Sequence, residues 1–275
     1  MALSEAAAAI APHVDRLVIA VHRRMSEHRD AFSQVLLETG VPGPALMIDV
    51  RPFLLEGPVP VAVFEAFGRF MPAPTVAGLL AALTATGTLV LSDDSLVPSV
   101  GASRFAHALT DLQVGIVDDL WGSDTDTVAA LLGSAGSAVI AARAVEAGLP
   151  LFGPLVRLNE PGRGDPYRLH HRLTMLRYLR SDVHVAVLAD EGLSPRDARV
   201  VDALWHGAPS ERLYLDHSLQ DDGWIDSTGN ALTALGRRRR DAIEVGTNRR
   251  IGAALNDASP DQVAALCDLL PRLPH

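Results

Sequence analysis

The chain has 275 residues and a formal net charge of −9, with 48% hydrophobic but only 5% aromatic residues, so its core draws on Ala, Leu and Val and favours packed helices over a large sheet. All 24 basic residues are arginine, which excludes chemistry that needs a lysine, such as Schiff bases and Walker-type phosphate loops. The single cysteine, Cys267, excludes an internal disulfide and any multi-cysteine zinc site.

In chain order, residues 4–11 are Ala-rich and helical, and Pro12 marks a break before a second helix to about Thr39. In that helix Leu17, Ala20, Val21, Arg24 and Met25 recur at spacings of three and four. No basic region followed by an apolar core opens the chain, so no signal peptide is read and a reducing cytoplasm is expected. Val41-Pro42-Gly43-Pro44 is a loop, and residues 45–58 read as irregular or extended around Arg51-Pro52. A helix over 60–70, a Pro72-Ala73-Pro74 turn, a helix over 75–86 and a hairpin over 89–97 follow. Residues 101–121 and 126–147 are helical; the apolar run 128–142 falls short of the ~20 residues that span a bilayer and reads as a buried helix, with no membrane partner. The Pro- and Gly-rich stretch 154–166 reads as a linker. A helix over 167–180 follows, and Ser181-Asp182 form an N-cap pair for a further helix to about Glu191. Residues 194–233 end in a hairpin from Trp224-Ile225 to Ala231-Leu232-Thr233; a long helix over 237–256 and a last one from Ser259-Pro260 complete the chain.

One pattern occurs twice. Val63-Phe64-Glu65-Ala66-Phe67, Ala73-Pro74-Thr75, Gly87-Thr88-Leu89 and Gly101 return as Val200-Val201-Asp202-Ala203-Leu204, Ala208-Pro209-Ser210, Gly223-Trp224-Ile225 and Gly236. Glu65 to Gly87 is 22 positions and Asp202 to Gly223 is 21; Gly87 to Gly101 is 14 and Gly223 to Gly236 is 13. Each copy reads helix, turn, helix, short hairpin, long helix, which is the order of a winged helix-turn-helix. The expected fold is therefore mainly α: two winged-helix-like units with short β-hairpin wings and long flanking helices. The expected domains are 1–153, holding the first unit at about 59–101, a linker over 154–166, and 167–275.

The stretch Gly223-Trp224-Ile225, Leu232-Thr233-Ala234-Leu235-Gly236-Arg237, Ile243-Glu244 and Thr247-Asn248 resembles the wing and dimer helix of MarR-type regulators. Residues 169–188 are similar to the signature of an actinobacterial family of MarR-like proteins with a helix-turn-helix, matching at His171, Thr174, Leu176, Arg177, Arg180, Asp182 and His184. The chain departs from that signature at His170, Tyr178, Leu179, Ser181 and Val183. The resemblance is strongest over 169–255, and it implies a winged-helix fold and no particular reaction.

A winged helix reads the major groove with polar side chains of its second helix. In the first unit that helix, residues 75–86, has no charged or amide side chain, and its wing tip is Asp93-Asp94, so it reads as buried. In the second unit, residues 210–222 carry Glu211, Asp216, Asp221 and Asp222 against Arg212 alone. The run Arg237-Arg238-Arg239-Arg240 is the one candidate for phosphate contact; its other reading is a solvated helix start paired with Asp241 and Glu244. DNA is thus a possible but disfavoured partner.

On a continuous helix Arg177, Arg180 and His184 fall within an arc of about 60°, while His171, Thr174 and Tyr178 share another face. Together these six form a candidate site for a small organic ligand, anionic or aromatic. The alternative is that the arginines pair with acids at a domain junction and His184 is a packed, hydrogen-bonded ring. His184 beside Asp182 is the candidate general base, with no nucleophile identifiable from spacing. The ten histidines show no i, i+4 pair, so no metal and no cofactor are expected. Three readings follow: a small-molecule-binding protein on a duplicated winged-helix scaffold, sequestering its ligand or acting on it in a specialised metabolic pathway; a ligand-responsive MarR-like regulator; or a purely structural partner protein. The first two are compatible with a homodimer.

Overall fold

The structure is a computed structural model that describes residues 1–41, 46–207 and 218–275. It is mainly helical, with one three-stranded sheet among the described residues. Helix α1 (Leu3–Glu27) runs unbroken through Pro12. Pro12 removes the donor to the carbonyl four residues back, but both Pro12 and Ala8 are exposed, so water can take that carbonyl. The break falls instead at His28, before α2 (Arg29–Thr39).

Residues expected to be irregular form α3 (Met47–Glu56), again with an internal proline, Pro52. Met47, Val50, Phe53 and Leu54 are buried at helical spacing, and their packing outweighs the lost hydrogen bond. Strand β1 (Val59–Pro60) leads into α4 (Val61–Gly68), α5 (Ala73–Ala85), β2 (Leu89–Ser92) and β3 (Ser95–Pro98). The antiparallel sheet has the order β1-β3-β2, with Val59 opposite Leu96 and Leu91 opposite the same residue on the other side. Only Val76 and Leu83 of α5 are buried, so the expectation of a buried second helix fails: its uncharged face meets solvent.

Helix α6 (Val100–Trp121) starts on Ser99, whose hydroxyl accepts from the Ala102 amide. Helix α7 (Thr125–Ala142) continues as a 3-10 turn to Val145. Contrary to the sequence reading, the 21-residue segment is long and apolar enough to cross a membrane by length and composition. Half of its most apolar window is buried, and it packs against α9 and α13 as a core helix. The start of the expected linker forms a short buried helix, α8 (Phe152–Val156).

Helix α9 (Asp165–Asp190) is continuous where two helices were expected. Ser181 and Asp182 do not cap it. Asp182 is buried in mid-helix and caps a different one: its Oδ2 accepts the Leu151 and Phe152 amides, at 3.0 and 2.8 Å, at the start of α8. Then follow α10 (Pro195–Trp205), capped by Ser194, the one-turn α11 (Ser218–Asp221), a single bridge between Ile225 and Leu232, α12 (Ala234–Ala254), capped by Thr233, and α13 (Pro260–Leu269). Most of the expected second helix of the second unit, residues 210–217, lies outside the described residues.

The interior forms two apolar clusters. The larger runs from Ala6 to Leu273 and includes the buried faces of α1, α3, α6, α7, α9 and α13. The smaller gathers Val187, Leu193, Val201, Leu219, Trp224, Leu232 and Ile243 under α10 to α12. Helix α1 packs on α12 and α9, and α9 packs on α6, so the long helices of the two halves interlock.

Candidate functional site

A cleft of about 530 Å³ opens between the two halves of the chain. Helix α9 supplies its floor with Arg177, Tyr178, Arg180, Ser181 and His184. One wall is the end of α4 with Phe67, Arg69 and Phe70; the other is α10 with Ala198, Arg199 and Asp202. Asp15 of α1, Asp49 of α3, and Arg240 and Glu244 of α12 close the rim. Four of the six sequence-predicted ligand residues therefore share this cleft, because α9 does not break at Ser181. The other two do not reach it: His171 is buried, and Thr174 lies on the same helix with its hydroxyl donating to the His170 carbonyl.

Most of the cleft's cations are already neutralised. Arg177 pairs with Asp15 at 2.9 Å and Arg180 with Glu244 at 2.6 Å, the latter also donating to Asn248. Arg240 bridges Asp202 and Glu244 at 2.9 and 2.8 Å. Arg69 reaches inward to the buried Asp182 at 2.6 Å and to Ser181. Arg199 differs: it is exposed, and its one described partner is the Phe70 carbonyl across the cleft, at 3.0 Å. A carbonyl leaves its charge uncompensated, so Arg199 is the cleft cation best placed to take an anion.

His184 is held in one tautomer. The Thr247 hydroxyl gives its proton to the Ile243 carbonyl at 2.8 Å, so it can only accept from His184 Nδ1, 3.2 Å away. The imidazole proton therefore sits on Nδ1 and leaves Nε2 as an acceptor. Burial lowers the His184 pKa from its ordinary value, against the opposing pull of Glu244, and keeps the ring neutral near pH 7. Burial and Asp49 hold the Tyr178 hydroxyl well above the usual phenol range; it donates to Asp49 at 3.1 Å and packs its ring edge-on to Phe67. The cleft thus offers a basic nitrogen, a protonated phenol, a cation and an aromatic wall.

The pairing of Asp182 with His184 does not form. Two residues apart on a continuous helix they point to different sides, and Asp182 is spent on Arg69 and the start of α8. No base dyad arises there. The arginine run also divides. Arg237 and Arg238 are exposed, whereas Arg239 lies 4.0 Å over the Trp224 ring and donates to the Glu191 carbonyl at 2.8 Å. With Arg240 inside the cleft, two of the four arginines are structural pins. Sequence reasoning missed Arg199, Phe67 and Glu244, which stand on other elements and become neighbours only when the two halves pack.

Residues 94–274 match a family described as a helix-turn-helix family. The match begins after α4 and α5, so it spans β3 and the elements from α6 to α13, not the first helix pair. No curated protein and no solved structure matches the chain.

Proposed function

The chain belongs to this helix-turn-helix family, and on that premise we propose that it binds a small organic ligand, anionic or aromatic, in the cleft between α4 and α10. The observation that carries this reading is a cleft of about 530 Å³ in which, among the described residues, Arg199 has no carboxylate partner and His184 Nε2 no hydrogen-bond partner, with Phe67 in the same lining. That volume lies within the range of about 300–1,000 Å³ typical of small-molecule sites. In this reading Arg199 takes a carboxylate or phenolate, His184 accepts a ligand hydroxyl, and Phe67 packs a ring. Arg177, Tyr178 and Arg180 fix the floor through their partners on α1, α3 and α12. The scaffold reads as two winged-helix-like units arranged as an internal pseudo-dimer, supported by the interlocked long helices and by the left-handed glycines Gly87 and Gly223 that enter both hairpins.

The test is a thermal-shift panel of aromatic acids and polycyclic phenols on the full chain. A saturable rise in Tm is expected with at least one compound, at least tenfold weaker in Arg199→Gln and in His184→Gln. Equal responses in both variants would remove the ligand from this cleft. Mass spectrometry of the recovered compound shows whether it leaves unchanged or modified.

The family match favours a second reading, a ligand-responsive DNA-binding regulator, in which the exposed Arg237 and Arg238 meet phosphates beside the second hairpin. That reading predicts retention of the DNA upstream of its own gene, with affinity falling steeply as salt rises. The preferred reading predicts none at moderate salt, and tight salt-sensitive retention would replace it.

A further inference from the structure

The cleft has a neighbour. A cavity of about 330 Å³ lies between α1, α2 and α3, and Asp49 of α3 lines both spaces. Tyr178, on the cleft floor, donates its hydroxyl to Asp49 Oδ1 at 3.1 Å, so one hydrogen bond stands at the junction. Helix α1 joins the two spaces as well. Asp15 lines the cleft and His22 and Ser26 line the cavity. At helical spacing these three fall within an arc of about 40°, on a face that runs about 16 Å from Asp15 to Ser26.

The two spaces differ in chemistry. The cleft holds the Arg199 cation, whereas the cavity is walled by Met25, Phe32, Leu46 and Ile48 and has no arginine among its described lining. Those walls are fixed from behind. Phe32 packs edge-on against the buried Phe105, with ring centres 6.4 Å apart, and Met25 Sδ accepts from the buried Gln113 amide at 3.1 Å. Leu46 is 4% exposed and holds a φ of 61°, a left-handed conformation that a residue with a side chain rarely adopts. Such strain persists only where the surroundings over-determine it, and ligand clamps are one place where it collects. Burial lowers the His22 pKa and keeps that ring neutral near pH 7, so the charge at the cavity is the Asp49 carboxylate. An anionic head is therefore repelled from the cavity and drawn to Arg199, while hydrocarbon is accepted there.

We propose that this cavity is the tail pocket of the cleft and that the ligand is an elongated amphipathic carboxylate, with its head at Arg199 and its alkyl chain running along α1 to Met25, Phe32 and Ile48. The proposal rests on the cleft reading and adds the class of ligand. The two volumes together stay within the range of about 300–1,000 Å³ typical of small-molecule sites. A short acid occupies the cleft alone and gains nothing from the pocket.

The test uses butanoate, octanoate and dodecanoate, each below its micelle concentration, titrated calorimetrically into the full chain labelled with ¹³C-methyl methionine. Dodecanoate is expected to bind at least tenfold tighter than octanoate, and to shift the Met25 methyl resonance that butanoate leaves in place. Ser26→Trp adds bulk from an exposed position of the cavity lining, and Ile48→Trp adds it from α3. Either should bring dodecanoate down to the octanoate affinity, whereas Arg199→Gln should weaken both acids alike. Equal affinities for the two acids, a length gain that survives both fillings, or a Met25 methyl unmoved by saturating dodecanoate would overturn the proposal and leave the cleft reading standing. Binding of aromatic acids in the cleft with no binding of any alkyl acid would do the same. If neither series binds, the cleft reading falls, and this proposal falls with it.

Discussion

Asp182 shows how much one side chain can organise. Its carboxylate holds Arg69 from the first half of the chain and two amides at the start of α8, all from the middle of α9. Asp182→Ala leaves the Arg69 cation and two buried donors without their acceptor, and a loss of about 3–5 kcal/mol is expected in urea unfolding. Asp182→Asn keeps one acceptor and should lose less. The buried histidines set the response to acid. His22, His170, His171 and His184 all have pKa values lowered chiefly by burial. The unfolded chain therefore binds protons near pH 6.5 that the folded chain refuses, so stability is full above that pH and falls as pH drops through the window below it. For His171 the window runs from 6.5 to about 4, equivalent to roughly 3 kcal/mol. Thermal unfolding between pH 7.5 and 4.5 should show this slope, and His171→Gln should flatten it.

At the level of elements, close approach decides what the helices can tolerate. A Cβ on Gly252 of α12 would lie 2.7–2.8 Å from backbone atoms of Leu3 and Ser4 on α1. Backbone cannot swing aside, so Gly252→Ala should cost about 1–3 kcal/mol by forcing the α1–α12 crossing apart, readable as a lowered Tm. The start of α12 illustrates a different balance. Four arginines at a helix N-terminus oppose its dipole, but Glu191, Asp202, Glu244 and the Trp224 ring absorb two of them. Arg239→Ala should therefore loosen the contact among α9, α11 and the second hairpin, whereas Arg238→Ala, at an exposed position, should change stability by less than about 0.5 kcal/mol. Comparing the two melting curves checks this directly.

The molecule as a whole carries two apolar clusters of unequal size, and the cleft lies where the elements above them meet. The smaller cluster, beneath α10 to α12, buries fewer large side chains and opens at a lower free energy than the α7–α9 core. Native-state hydrogen exchange is expected to show amides of 195–205 exchanging before those of 169–179. Uniform protection across both would mean that the clusters unfold as one unit.

Periodicity and punctuation made much of this legible from sequence. The helical patterns of α6, α7 and the first part of α9 and the turn residues of the first hairpin are local properties, and local chemistry decides them. The grouping of Arg177, Arg180 and His184 on one face was equally readable, because a helix fixes angular position from spacing alone. Proline misled at Pro12 and Pro52, and the Ser181-Asp182 pair misled as a cap, because burial of neighbouring side chains outweighed the local preference. Partner identity was out of reach altogether. That Asp182 serves Arg69 and α8 rather than His184, and that Arg199 reaches the Phe70 carbonyl while the other described arginines of the cleft hold carboxylates, are facts about residues tens to more than a hundred positions apart. The sequence alone determined the strongly periodic helices and the angular order of residues along them; packing decided where a helix runs on through proline or past Ser181 and which charges meet, since those depend on distances that only the tertiary fold supplies.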